Sequence, residues 1–358
     1  MKKRIIVVGA GIVGASIAWH LAKAGADVTV IEAGEPGGLA TRNSWAWINA
    51  SWGNSETYFR LRERSMLEWR RLDREVPGLE VNWCGGLIWD LPIEQLEAYA
   101  VEHISWGYGI RRVDRKEALS IEPNIKRPPD FALHVAKEGK VEPLATALAF
   151  LAGAEAMGVK VLRNAHAKWL EEKNGRIVGV CINEGVLHAD EVVIAAGAGA
   201  VALLESIDIT IDFTVPSGLL VHSKPMGEVL NGLVMAPDLH VRQTSEGRLV
   251  AGIDFSGSFP ANDLENAAAA LYRNMQDMVA GAEDVGMDFH TLGFKPTPAD
   301  GFPMFGRPKN REGLYLTVMH SGITLAPAVG LFTTAELLEG KRDPLIAPYH
   351  PDRLLKAK

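Results

Sequence analysis

Residues 5–32 read, in order, as a buried strand, a glycine turn, a helix, a second strand and a carboxylate. Ile5-Ile6-Val7-Val8 is a continuous β-branched run, the pattern of a parallel strand covered on both faces. Gly9-Ala10-Gly11-Ile12-Val13-Gly14 follows, then a helical stretch with Val13, Ile17 and Leu21 on one face. Gly25 stops that helix, and Asp27–Ile31 supplies a second strand ending at Glu32, 21 residues after Gly11. In such a unit Gly9 permits the tight turn, Gly11 lets the backbone approach a pyrophosphate, and Gly14 lets helix and strand pack closely. The helix N-terminus offers unpaired N–H groups and a positive dipole end. Glu32 can accept hydrogen bonds from both hydroxyls of an adenosine ribose, and its charge repels a 2′-phosphate. A dinucleotide site is expected, and these residues leave NAD and FAD both open.

The chain has 358 residues, enough for two domains at roughly 100–200 residues each. With 37 Lys+Arg against 44 Asp+Glu, its net charge of −7 disfavours nucleic-acid binding through a broad basic face. A small anionic substrate is compatible with that charge, because a few buried cations can oppose the global field. Cys84 and Cys181 are too few for a disulfide framework or a metal cluster, so a reducing, cytoplasmic setting is expected and no metal. Met1-Lys2-Lys3-Arg4 resembles the start of a secretory signal, but the apolar run behind it ends after four residues. No run of about 18 apolar residues is present to span a bilayer.

Along the rest of the chain, Glu56 to Glu75 reads as a charged amphipathic helix whose charges form a solvated face. Pro143 begins a helix of small residues, Arg176–Ile182 and Val186–His188 read as a hairpin, and Asp190–Gly199 as a buried strand running into small residues. Leu239 to Gly252 alternates like sheet, Ala261 to Ala280 is helical in pattern, and Gly313–Val318 is a strand. His320-Ser321-Gly322 then leads into a final helix over about Leu325–Leu338. Pieces of the nucleotide fold thus fall at the start, middle and end, so a second domain is expected to consist of insertions.

Ordered blocks over essentially the whole chain resemble the D-amino-acid oxidase superfamily of FAD-dependent enzymes, with glycine oxidase and monomeric sarcosine oxidase as the nearest types. They are Gly9–Gly14 with Glu32, the Asn43-Ser44 loop, Val141-Glu142-Pro143, Val192–Gly199, Glu246–Val250, Pro296-Thr297-Pro298-Ala299-Asp300-Gly301-Phe302-Pro303-Met304-Phe305-Gly306 and Gly322-Ile323-Thr324-Leu325-Ala326-Pro327. The last two are the specific ones. The resemblance implies an α/β, Rossmann-like FAD domain of the glutathione-reductase type in residues 1–78, 141–214 and 290–358. It implies an α+β substrate domain with an antiparallel sheet in residues 79–140 and 215–289. It implies oxidation of the C–N bond of an amino acid or N-substituted amino acid by hydride transfer to flavin. Electrons then pass to O2, or to a quinone or partner protein if the enzyme is a dehydrogenase. A flavin-bearing subunit of a hetero-oligomer is a further alternative, and a homo-oligomer is compatible with the sequence.

The resemblance also implies site residues. Beside Gly9, Gly11, Ile12, Val13, Gly14, Glu32 and Ala33, the cofactor contacts fall on Asn43 and Ser44, on Ala167 near the adenine, and on Ala196 and Gly197. The backbone of Gly322, Ile323, Thr324 and Leu325 reaches the flavin pyrimidine edge, where a helix dipole can stabilise negative charge. Trp47, Ile48 and Asn49 pass close to the flavin ring and shape the pocket. Two departures matter. Gly293 or a neighbour stands where sarcosine oxidase has its flavin-linking cysteine, so FAD is expected to be non-covalent. Lys295 stands where glycine oxidase has a carboxylate-binding arginine, and a point charge replaces a planar fork. Lys295 or Arg242 is the expected carboxylate anchor, with His320 a substrate-facing donor or acid/base and His240 about where glycine oxidase has a tyrosine. Lys295, Arg242 and His320 are thus expected to gather positive charge around one substrate.

Overall fold

Arg4–Val8 becomes the centre of a six-stranded sheet because Ile5–Val8 are apolar and buried on both faces. The strand order is Met304–Gly306, Leu314–Val318, Glu191–Ile194, Arg4–Val8, Asp27–Ile31, Lys160–Leu162. All neighbours run parallel except the edge strand Met304–Gly306. The structure is a computed structural model, and it describes residues 2–51, 54–253 and 263–357. Of the expected helix over Ala261–Ala280, the first two residues lie outside the described ones, and the helix runs Leu264–Met278.

A second sheet has eight strands, in the order Met287–Phe294, Ser217–Ser223, Leu249–Gly252, Leu239–Gln243, Leu233–Ala236, Gly86–Ile88, Phe131–Val135, Arg111–Asp114. The sequence reading expects this sheet to be antiparallel. It is mixed, because Leu233–Ala236 pairs parallel with Gly86–Ile88 where the two insertions meet. The boundary expected at residue 290 falls inside the strand Met287–Phe294, which pairs with Ser217–Ser223 as far as Ser217 opposite Phe294. One face of this sheet, carrying Leu219, Val221, Val241 and Ala251, packs on the helix Leu264–Met278. Alternation turns Leu220, His240, Arg242 and Val250 to the other face, and Leu220 and Val250 join the core that holds Trp45, Ile48 and Ile323.

The last helix, Gly322–Glu339, contains Pro327, which has no N–H to give the Ile323 carbonyl. The long charged helix Glu56–Glu75 repairs that gap. Trp69 Nε1 donates to the carbonyls of Ile323 and Thr324, each at 3.1 Å. Ser65 Oγ donates to the Thr324 carbonyl at 2.6 Å and accepts from Ala328 N at 3.2 Å. The first turn of the last helix is therefore held from outside. The sequence pattern predicts only solvated charges on the helix Glu56–Glu75; instead Arg62 and Glu68 are buried with Ser65 and Trp69, since its inner face packs on the broken helix. Ser65→Ala leaves one carbonyl and one N–H without this partner and is expected to lower stability by about 1–3 kcal/mol, read as a fall in Tm.

Candidate active site

Two helix N-termini meet at the carboxyl end of the parallel strands. The first helix, Ile12–Lys23, starts at Gly11 with no side-chain hydrogen bond from that residue. Gly9 makes the turn before it with φ +105°, and an added Cβ at Gly14 would lie 2.0 Å from the Gly9 carbonyl oxygen, so helix and strand touch here. Gly322 opens the last helix directly against the first: an added Cβ would sit 3.3 Å from Val13 Cγ2 and 3.9 Å from Ile12 Cγ2. Ser321 before it takes a left-handed conformation and gives no side-chain cap. The sequence blocks Gly9–Gly14 and Gly322–Leu325 are thus one place in the fold.

The loop after the second strand closes over the glycine turn. Thr41 Oγ1 accepts from Ile12 N at 3.0 Å and lies 3.3 Å from where a Cβ on Gly11 would be. Thr41 is absent from the sequence candidates, although its place two residues before Asn43 is a usable signal. Glu32 takes the N–H of Ala10 at 2.8 Å and of Gly34 at 3.0 Å, which fixes its carboxylate beside the turn. Ala33 is exposed next to it, and Ala167 is half-buried on the loop after the strand Lys160–Leu162. Ala196 and Gly197 follow the strand Glu191–Ile194, and the Ala195 carbonyl oxygen before them lies 2.4 Å from where a Cβ on Gly9 would be. Ser44 Oγ accepts from Ala46 N at 3.0 Å, and Asn43 Nδ2 donates to the Leu292 carbonyl at 3.4 Å.

The segment Trp47–Ser51 is sewn to the last helix. Thr324 Oγ1 donates to the Trp47 carbonyl at 3.1 Å and accepts from Asn49 N at 3.4 Å. Arg62, only 5% exposed, donates to the Asn49 carbonyl at 3.1 Å, to Asn49 Oδ1 at 2.5 Å and to the Tyr58 hydroxyl at 3.3 Å. Sequence reasoning misses both Arg62 and its partner Tyr58, because nothing local distinguishes a buried arginine from its solvated neighbours on a charged helix.

The expected gathering of three positive charges does not form. Arg242 is 2% exposed and already paired with Glu142, at 3.0 and 3.4 Å, because the turn before Pro143 lies beneath its strand. Its Nε is buried without a hydrogen-bond partner among the described residues. His240 Nε2 lies 3.2 Å from Asp90. His320 Nε2 contacts the Gly301 carbonyl, which only accepts, so that nitrogen carries the proton; Nδ1 then accepts from the Ser321 hydroxyl at 2.7 Å. Burial, then the charges of Arg62 and Lys295, hold the His320 pKa down at about 4. His320 is therefore neutral at pH 7 with both nitrogens used, which does not suit the acid/base role considered for it. Lys295 is half-buried on the strand end, within electrostatic reach of His320.

The sequence profile described as FAD dependent oxidoreductase matches residues 4–336. The chain belongs to that family. Its cofactor is FAD, and it is an oxidoreductase. Glycine oxidase of Bacillus licheniformis is 28% identical over 346 residues, covering 92% of each chain. L-proline dehydrogenase from P. horikoshii shares the fold with a TM-score of 0.88 at 24% identity, over 98% of this chain and 97% of that one. Glycine oxidase from Geobacillus kaustophilus gives 0.86 at 23% identity, over 98% of each. The residues of this family member fit FAD on their own geometry. Gly11 under Thr41 leaves a cradle that a single Cβ would narrow, and two helices start at one point with no cap from their own N-cap residues Gly11 and Ser321, Thr41 taking the first N–H at Ile12. Among the described residues, no helix is long and apolar enough to cross a membrane, and no three His, Cys, Asp or Glu side chains are grouped to hold a metal.

Proposed function

We propose that this enzyme oxidises the C–N bond of an amino acid or N-substituted amino acid to an imine, which water hydrolyses. When bound, FAD supplies the acceptor for the hydride from the carbon next to nitrogen. The observation that carries the reading is the junction of Gly322 with Val13, which joins a dinucleotide turn to a second helix N-terminus walled by Trp47–Ser51. On this reading the six-stranded sheet is the core of a Rossmann-like, glutathione-reductase-type domain holding FAD non-covalently, and the mixed sheet roofs the substrate. The family and the two free cysteines suit a cytoplasmic enzyme.

The chain's own residues then have distinct tasks. The N–H groups and dipole at Gly322–Thr324 favour negative charge beside them. Lys295 is the cation proposed to bind the substrate carboxylate, because it follows the strand Met287–Phe294 and lies within electrostatic reach of His320 beside the last helix. Arg62 and Lys295 add positive potential here, each lowering the His320 pKa beyond what burial does first. The same field lowers the pKa of a bound ammonium group and so favours the neutral amine that can give up hydride. His320 holds the Gly301 turn and Ser321 in register rather than moving a proton.

An anaerobic screen of D-, L- and N-methyl amino acids tests the proposal. At least one class is expected to bleach the yellow protein, and acid precipitation is expected to release all of its colour. Admitting air then separates the acceptors: rapid return of colour marks an oxidase, and return only with a quinone marks a dehydrogenase. Colour unaffected by any amino acid would reject the substrate class.

A further inference from the structure

The segment Trp47–Ser51 is fixed by two buried groups of opposite charge, one of them Arg62. The other is Glu138, which has no exposed surface. It stands just before the short strand Gly139–Lys140, whose pairing with Trp47–Ile48 brings its carboxylate beside the segment. Trp47 Nε1 donates to Glu138 Oε2 at 2.8 Å, the Tyr108 hydroxyl to Oε1 at 2.6 Å, and the Ser51 hydroxyl also to Oε1. Tyr108 Oη in turn accepts from Ala50 N at 3.1 Å. Trp47, Ala50 and Ser51 therefore all depend on one carboxylate, while Asn49 depends on Arg62.

A buried carboxylate is a poor way to gain stability, because its desolvation consumes most of what its hydrogen bonds return. Its value lies in direction. The indole N–H of Trp47 cannot accept a hydrogen bond, so it points to an acceptor or goes unpaired. We propose that Glu138 is a positioning residue that sets the Trp47 ring and the course of residues 47–51, and that a proton on its carboxyl group rearranges the Tyr108 and Ser51 side of this wall. The proposal rests on the reading that the wall borders the flavin.

The proton has a defined effect. Ionised, Glu138 takes all three donors. Protonated, its O–H must be given to a hydroxyl oxygen, Tyr108 or Ser51, whose own hydrogen then turns away; for Tyr108 the Met66 sulfur lies 3.9 Å off. The Trp47 bond persists on the other oxygen. Burial outweighs the three donors and the nearby Arg62 charge and lifts the Glu138 pKa to about 7. Other charged groups nearby among the described residues include Lys137, whose Nζ lies 4.3 Å from the Tyr108 ring centre and 3.4 Å from Glu63, and Lys140, which donates to the Gln243 carbonyl at 2.5 Å.

The test compares the flavin absorption spectrum of the holoenzyme and of E138Q across about pH 5 to 9. The parent spectrum is expected to titrate with a midpoint near 7 and that of E138Q to stay flat. Glutamine can still accept from Trp47 and donate to the two hydroxyls, so the fold should survive. Thermal melting gives a readout without flavin chemistry. A pKa raised on folding stabilises the native state below its unfolded value and loses that contribution as pH rises through about 7. The Tm of the parent, relative to E138Q, is thus expected to fall from acid to neutral pH. Should E138Q not fold, Trp47→Phe removes one donor and is expected to move the parent midpoint upward. The same titration in E138Q as in the parent, a Tm difference independent of pH, or an unmoved midpoint in Trp47→Phe would each overturn the proposal. Failure of every amino acid to reduce the flavin would instead count against the substrate reading, and leaves the spectral and thermal tests of Glu138 in force.

Discussion

Gly9→Ala is expected to give a protein that retains no FAD and melts well below the parent. Gly9 has φ +105°, and an added Cβ would stand 2.4 Å from the Ala195 carbonyl oxygen and 2.8 Å from its carbon. Those atoms are backbone, so they can move only if the strand Glu191–Ile194 moves with them. The conformational penalty is about 1–2 kcal/mol and the overpacking about 1–3 kcal/mol or more. Against a net stability of about 5–15 kcal/mol that is a large share. Gly11→Ala makes the informative contrast. Its added Cβ would press on Thr41 Oγ1, at 3.3 Å, and make an ordinary contact with Gly38 Cα, at 4.0 Å, so a small shift of the Thr41 side chain relieves it. It is expected to weaken FAD binding with a smaller fall in Tm, because on the proposed site its methyl group would stand where a pyrophosphate approaches the backbone. Tm and bound colour, measured together on both variants, separate a lost turn from a lost ligand site. Equal behaviour of the two would contradict the roles assigned here.

Lys295→Met is expected to slow anaerobic flavin reduction by an amino acid at subsaturating concentration while sparing the amine that lacks its carboxylate. Lys295 is half-buried, so the loss should fall toward the lower end of the range for a desolvated pair, about 2 kcal/mol. Lys295→Arg is not expected to be harmless, since a planar fork replaces a point charge. Equal slowing of both substrates would show that the lysine acts on the flavin or the fold. Arg242 is a weaker alternative anchor, because Glu142 already holds two of its nitrogens.

The dinucleotide turn is legible in the sequence because every part of it is local: strand, glycines, helix and Glu32 lie within 32 residues of the start. The junction of Gly322 with Val13 is reachable only through family resemblance, since more than three hundred residues separate them. The charge balance of the site is not legible. Arg242 and Glu142 are 100 residues apart, so Arg242 reads as a spare cation when it is a paired one. The same blindness hides Glu138 and Arg62, which look in sequence like any solvated charge. His320 shows a subtler limit. Its position beside the helix N-terminus follows from the sequence, but its tautomer is decided by the Gly301 carbonyl on a separate turn.

On the proposed function, this FAD-dependent oxidoreductase breaks a C–N bond. A single anaerobic turnover tests it most directly: the holoenzyme is mixed with a slight excess of the amino acid that bleaches it, quenched, and the products are counted against the flavin reduced. An equal amount of the oxo acid, or of an aldehyde, with matching ammonia or amine is the predicted result. Bleaching with the C–N bond intact in the product would contradict it.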